Sequence, residues 1–117
     1  MQDYLHAGEG KYITPQLRVF AFPVDYFGRG AVNSQFVRSD VRRYMRRWPV
    51  RRYTLLEPVK VTMASAETAV ADFKIGFNVR GGKRRAGGET NIRITLREIK
   101  GQLKIIAIEE QHAPEQP

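Results

Sequence analysis

Few residues in this 117-residue chain could carry chemistry, and their types narrow the reactions open to it. There is no cysteine, and the two histidines, His6 and His112, lie near opposite ends. A thiolate nucleophile, a disulfide and a thiolate metal site are therefore excluded, and a histidine-based triad or structural zinc site lacks its usual ligands. No cofactor or metal motif is present. What remains is carboxylates set beside aromatic rings. Asp25-Tyr26 precedes a glycine-rich turn, where a carboxylate at the edge of an aromatic pocket could act as a general base. The plainer reading has Asp25 capping or pairing with a cation such as Arg29 while Tyr26 packs in the core. Asp72, inside an apolar and basic strand, fits a cross-strand pair with Lys74 or Arg93. Trp48, followed by Pro49, fits a core residue at a helix stop better than a stacking platform for a ligand.

The second chemical feature is charge. Residues 29–52 hold eight arginines against one acid, Asp40, a surplus of +7 in a chain whose net charge is +8. The basic character is thus local. Arg38, Arg42, Arg43, Arg46 and Arg47 offer an anion- or partner-binding surface, and with Tyr44 and Trp48 beside them they could engage a nucleic-acid backbone by charge and stacking. Solvated arginines paired with Glu57, Glu89 or Glu98 on neighbouring elements are the plainer expectation. The run GGKRRAGG at 81–88 lacks the Gly-Lys-Ser/Thr ending and strand-to-helix setting of a phosphate loop and reads as a mobile hairpin tip.

These groups must be held by elements that periodicity makes visible. Val37, Val41, Tyr44, Met45 and Trp48 recur at the spacing of one helical face, Asn33 or Ser34 can cap the start, and Pro49 disfavours helical geometry at Trp48, which predicts a helix over about 34–48. Thr14-Pro15 marks the start of a shorter helix, about 15–22, that Pro23 ends, although QLRVFAF also alternates like a strand. Beyond Pro49 the period switches to 2. Tyr53 and Leu55, then Val59, Val61 and Met63, are separated by a break at Pro58. Ala71, Phe73, Ile75, Phe77 and Val79 make the inner face of a long strand. Ile92, Ile94 and Leu96 return alongside it, and Leu103, Ile105 and Ala107 against Ile106 and Ile108 form a last strand apolar on both sides, hence central. One domain over 1–117 is expected, with flexible ends at 1–12 and 111–117. Its class is α+β: N-terminal helices packed on a curved, mostly antiparallel sheet of about four strands. No apolar run is long enough to span a bilayer and no secretory signal is visible, so a soluble protein is expected and its compartment is unknown.

The order of elements, with YFGRG at 26–30 leading into a helix that ends RRWPVRRY at 46–53, resembles the nuclear transport factor 2-like (SnoaL-like) superfamily of cone-shaped, cystatin-like domains. More narrowly, VDYFGRG through RRWPVRRYTL resembles bacterial modules of that superfamily appended to larger proteins such as caspase-like peptidases. The resemblance covers roughly residues 13–110. Members usually begin with a long helix, so it implies a shortened first helix or a trimmed chain here, with only about ten residues before Tyr12. It also implies a homodimer joined through the sheet and a partner that is a protein, a small molecule or a catalytic domain of the parent chain. Where enzymatic members place carboxylates and tyrosines inside the cone, the nearest candidates are Asp25, Tyr26, Asp40, Tyr44, Tyr53 and Asp72, with Trp48 added as a pocket wall. The leading expectation is a non-catalytic accessory or binding module. The alternatives are a small isomerase, cyclase or dehydratase with Asp25 or Asp72 as base and Tyr26 or Tyr44 as hydrogen-bond donor, or nucleic-acid binding through the arginine helix.

Overall fold

The computed structural model describes residues 9–10 and 13–111. The expected flexible ends therefore fall largely outside the described residues. Among the described residues, helices α1 (Ile13–Arg18) and α2 (Ser34–Arg47) accompany seven strands: β1 (Phe20–Tyr26), β2 (Ala31–Val32), β3 (Val50–Leu55), β4 (Lys60–Met63), β5 (Thr68–Gly81), β6 (Arg84–Ile99) and β7 (Gln102–Gln111). They form one sheet in the order β2-β1-β7-β6-β5-β3, with β4 also paired to β5. Among the described strands only β1 and β7 run parallel. The α+β class and the curved, mostly antiparallel sheet are as the periodicity predicts, with more strands than four. No helix among the described residues is long and apolar enough to cross a membrane.

Helix α2 starts where its cap predicts. The Asn33 side chain, in extended backbone, accepts a hydrogen bond from Phe36 N at 2.9 Å, which satisfies one of the free amides of the first turn. At the other end Trp48 N donates to Tyr44 O at 2.8 Å and Pro49 closes the helix. The first helix departs from expectation. It spans Ile13–Arg18, and residues 20–26 are strand, with Phe20, Val24 and Tyr26 turned into the core. The period of 2 in this stretch prevails because β7 supplies a ladder for it: Phe20 pairs with Ile105, and Asp25 and Tyr26 pair with Ala107 and Ile108. Pro23 sits where that register slips, between Phe20 and Asp25, a place where a missing N–H leaves no gap in the ladder. The turn after it uses left-handed backbone at Gly28 and Gly30, both at φ 77°, which glycine adopts without the Cβ clash.

Strands β5 and β6 form the longest ribbon, in register from Thr68↔Arg97 to Gly81↔Arg84. The 81–88 stretch is therefore not a loose loop: the chain turns at Gly82-Lys83 and pairs again at once, since Gly82 (φ 61°) allows a two-residue reversal. Strands β3 and β4 share one edge of β5, separated at Pro58, against Ile75–Arg80 and Ala69–Asp72 respectively. In β7 the register with β6 slips at Ile106, because Thr95 pairs with Ala107 and Leu96 with Ile105. That bulge puts both Ile105 and Ile108 on the inner face, 3% and 2% exposed. Ile108 is thus core, not part of the outer sheet face as strict alternation suggests, and Leu103, 64% exposed, is not core.

The core gathers Leu17, Phe20, Val24, Tyr26 and Val37 against Phe73, Ile75, Ile92, Ile94, Ile105 and Ile108. Full burial of each large side chain contributes about 1.5–3 kcal/mol. Helix α2 lies over this face less tightly than its pattern suggests. Val37 is fully buried, but Val41, Met45 and Trp48 are half-buried and Tyr44 is 40% exposed. Beneath Val41 and Tyr44 there is an opening rather than side chains.

Candidate functional site

That opening is a cavity of about 400 Å³ between the helix and the inner sheet face. Its apolar wall comes from Phe20, Phe27, Val41, Ile75, Phe77 and Ile92. Its polar groups are Gln16, Tyr26, Asp40, Tyr44, Tyr53, Thr90, Arg29 and Glu110. Alternation decides which residues reach it. Tyr26 ends β1 on the inward parity shared by Val24, while its neighbour Asp25 is exposed on the opposite side. Thr90 shares the inner parity of Ile92 and Ile94 on β6, and Asp40 flanks the apolar stripe of α2 one residue before Val41.

Tyr26 and Asp40 form the central pair. The tyrosine, 5% exposed, donates its hydroxyl to Asp40 Oδ2 at 2.8 Å, and Asp40 Oδ1 lies 3.5 Å from Arg43 Nη2. Edge-on rings fix the tyrosine: its centroid is 4.7 Å from Phe27 and 6.2 Å from both Phe20 and Phe36. Aromatic edges set against a ring face pack favourably in this range. Nearby, the hydroxyls of Tyr44 and Tyr53 approach to 3.5 Å, and the Tyr53 backbone N–H donates to Glu9 Oε2 at 2.7 Å. The Gln16 amide donates to the sulfur of Met45 at 3.4 Å. Thr90 is different. Its Oγ1 is buried and has no hydrogen-bond partner among the described residues, a condition that costs about 1–3 kcal/mol unless something enters to pair with it.

The chain thus brings Tyr26, Asp40, Tyr44 and Tyr53 together and leaves three candidates outside. Asp25 is exposed on β1. Asp72 is engaged on the other sheet face by Arg93, whose Nε donates to Oδ1 at 2.7 Å. That hydrogen bond, then the charge of Asp72, holds the Arg93 guanidinium above its ordinary pKa, and Glu109 adds to the effect. Trp48 is half-buried beyond the helix end, with the Arg47 guanidinium 5.3 Å above its ring. Thr90, Gln16 and Glu110 were not among the candidates. Thr90 carried a readable signal, since it is a polar residue on the apolar parity of β6. Among the described residues no group of three His, Cys, Asp or Glu side chains could hold a metal ion.

The arginines also sort differently from the plain expectation. Arg38, Arg42, Arg46 and Arg47 are exposed, and among the described residues the one ion pair from this helix is Arg43 to Asp40 of the same helix. Glu89 pairs with Lys74 instead, at 3.6 Å. Arg51 turns inward: it is 2% exposed and donates to Trp48 O at 2.7 Å, to Pro49 O at 3.4 Å and to Gly10 O. It caps the carbonyl end of α2, where a cation also suits the helix dipole.

A curved sheet wrapped round one helix, with a polar-lined cavity between, is the cone of the nuclear transport factor 2-like fold. Solved structures share it. A nuclear transport factor 2-like superfamily protein from Salmonella enterica serovar Typhimurium superposes with a TM-score of 0.84 at 16% identity, covering 99% of this chain and 87% of the other. A protein from Novosphingobium aromaticivorans provisionally named an aromatic ring hydroxylase gives 0.86 at 17% identity, covering 100% and 85%. One from the same organism provisionally named a scytalone dehydratase gives 0.83 at 14%, covering 97% and 78%. At these identities the likeness is one of fold. No family model matches the sequence, and no curated protein matches it.

Proposed function

We propose that this domain is a small-molecule-binding module that acts as an accessory unit without chemistry of its own. The observation that carries the proposal is the cavity of about 400 Å³ with an unpaired, buried Thr90 hydroxyl in its lining. Ligand sites are usually largely apolar hollows of roughly 300–1,000 Å³ with a few placed polar groups. A cavity of roughly 150 Å³ takes benzene, so this one has room for about two rings. Tyr26 and Thr90 supply hydroxyls for an oxygen or nitrogen on such a ligand. Asp40 is already held on both oxygens, by Tyr26 and Arg43, an arrangement that suits orienting a phenol.

The test is a two-dimensional NMR titration of the full chain with 1-naphthol and with cyclohexanol. Saturable shifts confined to cavity residues are expected for the two-ring probe and are expected to vanish in a Val41→Trp variant that fills the space. Shifts that never saturate, or that persist unchanged in the filled variant, would refute the reading. A second reading, an enzyme, has one observation in its favour: a carboxylate and a phenol face a substrate-sized cavity, with Asp40–Tyr26 taking the roles first given to Asp25 or Asp72. Asp40→Asn separates the two, because it changes only affinity in a binding module and abolishes turnover in an enzyme.

The same proposal includes self-association through the outer sheet face, where Val70 and Ile106 are half-buried and Ile99 is 37% exposed. Sedimentation velocity of the wild type and of Ile106→Lys tests it. A wild type that stays monomeric at high concentration removes this part.

A further inference from the structure

Strand register gathers three arginines on the outer face of the sheet. On β5, Val79 is buried in the core and Gly81 packs against the Arg47 carbonyl and Pro49 at the end of α2, so both face inward. Asn78 and Arg80, which alternate with them, therefore point outward. Arg85 on β6 is paired with Arg80, and Arg52 on β3 is paired with Asn78 from the other side. Paired residues share a face, so Arg52, Asn78, Arg80 and Arg85 stand together on the outer surface, all four exposed. Directly paired Cβ atoms are roughly 5 Å apart, and the diagonal from Arg52 to Arg80 is about 7–8 Å. At those spacings three guanidinium groups can converge on one point.

The fold accounts for only part of this charge. None of the three arginines has an ion-pair partner among the described residues, and Arg52 Nη1 donates to the Arg51 carbonyl at 3.2 Å. No acid occurs at 41–56 or 73–88, and Glu89, further along the same face of β6, is taken by Lys74 at 3.6 Å. A cation on an edge strand discourages pairing with other chains, which explains Arg52 on β3. It does not explain Arg80 and Arg85. They lie on inner strands, where like charges directly opposite each other weaken the pairing. An anion held between them turns that repulsion into attraction.

The arrangement also selects the anion. Each planar arginine fork pairs with two oxygens at a time. A carboxylate has only two, whereas a phosphate monoester brings three terminal oxygens and a charge of about −1.5 to −2 near neutral pH. Three forks thus match one phosphate. The patch, about 8 Å across, meets one or two phosphates, far short of the roughly 6–10 that a duplex-binding surface contacts. Asn78 adds a donor, and Gly87, paired with it, has no side chain to cover it. Val70, on the surface assigned to self-association, is ten positions away along β5, about 33 Å.

We propose that Arg52, Asn78, Arg80 and Arg85 form a binding site for a single phosphate monoester group. It lies on the far side of the sheet from the cavity and is independent of it.

The experiment is a two-dimensional NMR titration of the full chain with phenyl phosphate, in phosphate-free buffer at constant ionic strength. Saturable shifts centred on the amides of Arg52, Asn78, Arg80 and Arg85 are expected. Arg80→Gln/Arg85→Gln should weaken binding about 25-fold, taking roughly fivefold for each exposed ion pair lost. Lys60→Gln/Lys100→Gln removes equal charge elsewhere and should change affinity by less than about twofold. Urea denaturation supplies a second readout. Without ligand the arginine double variant should be at least as stable as wild type, because a repulsion has been removed. At phenyl phosphate ten times the wild-type Kd the order reverses, since the ligand raises the wild-type folding constant about 11-fold and the variant's hardly at all. Shifts that never saturate, acetate binding as tightly as phenyl phosphate, equal weakening in the two variants, or no reversal of stability overturns the proposal. Sedimentation with vesicles then identifies the carrier of the phosphate. Binding to phosphatidic acid but not phosphatidylserine vesicles assigns it to a lipid headgroup, and binding to neither assigns it to a soluble monoester. Equal binding to both reports bulk charge alone and overturns the site.

Discussion

Replacing Gly81 by alanine tests the junction between the end of α2 and the β5–β6 hairpin. Two effects oppose each other. Gly→Ala in a strand restricts the unfolded chain and ordinarily stabilises by about 0.4–1 kcal/mol where the backbone permits it. The Gly81 φ does not lie in the left-handed region, so the backbone permits it here. The new Cβ, however, would overlap the Arg47 carbonyl oxygen and stand 3.2 Å from both its carbonyl carbon and Pro49 Cδ. These are backbone and ring atoms that cannot swing aside, so helix and hairpin must part, and forced overpacking costs about 1–3 kcal/mol or more. The clash wins. A net loss of about 2 kcal/mol is expected, lowering Tm by roughly 8–10 °C in a domain of this size. Two companions set the scale. Gly76→Ala meets only the flexible end of Leu56 at 3.5 Å and should be neutral or up to about 1 kcal/mol stabilising. Gly82→Ala meets nothing but sits at φ 61° and should cost about 1–2 kcal/mol through backbone strain alone. Urea denaturation of the three variants measures the series. If Gly81→Ala is as stable as Gly76→Ala, the helix end and the hairpin do not touch as described.

Tyr26→Phe removes the hydroxyl that Asp40 accepts, and because the Asp40 side chain is 31% exposed the loss should be modest, about 1 kcal/mol by denaturant titration. Thr90→Val keeps the shape and deletes an unpaired hydroxyl, so the empty protein should melt no lower than wild type, or up to about 1 kcal/mol higher in stability, while affinity for a cavity ligand falls about tenfold. A clear drop in stability would show that the hydroxyl is already satisfied. Arg51→Met should destabilise by about 2–3 kcal/mol, because it strands the carbonyls at the end of α2; Arg51→Lys should fall between the two in a thermal melt.

Local patterns were legible and long-range ones were not. The α2 boundaries followed from a cap at Asn33, a five-residue apolar stripe and Pro49, all within one stretch of chain. The inner faces of β5 and β6 followed from alternation alone. By contrast, residues 20–22 fit helix and strand equally, and only the ladder offered by β7 decides between them. Ile105-Ile106-Ala107-Ile108 is apolar at every position, so nothing in its composition reveals that Ile106 bulges and reverses the parity. The glycines of 81–88 suggested a loose loop. Gly87 is needed instead because its missing Cβ would press to 3.0 Å on Phe77 O, and Gly88 lies 3.5 Å from the Phe77 ring. In the candidate site, the general-base reading took Asp25 and Tyr26 together, whereas strand geometry sends neighbours to opposite faces and leaves Tyr26 in the core, as the plainer reading has it. Arg51 was counted only as one arginine of the basic run at 29–52, and its inward turn was not legible because one of its carbonyl partners, Gly10, is 41 residues away.

The parallel contact between β1 and β7 also governs timing. Phe20 meets Ile105, 85 positions later, so during synthesis at about 5–20 residues per second the older strand waits roughly 4–17 s for its neighbour to emerge. Throughout that interval its unsatisfied amides and carbonyls are open to any other extended segment nearby. Nascent chains of this protein are therefore vulnerable to mispairing until β7 emerges, and slowed synthesis of the stretch between the two strands is a stress under which they should aggregate.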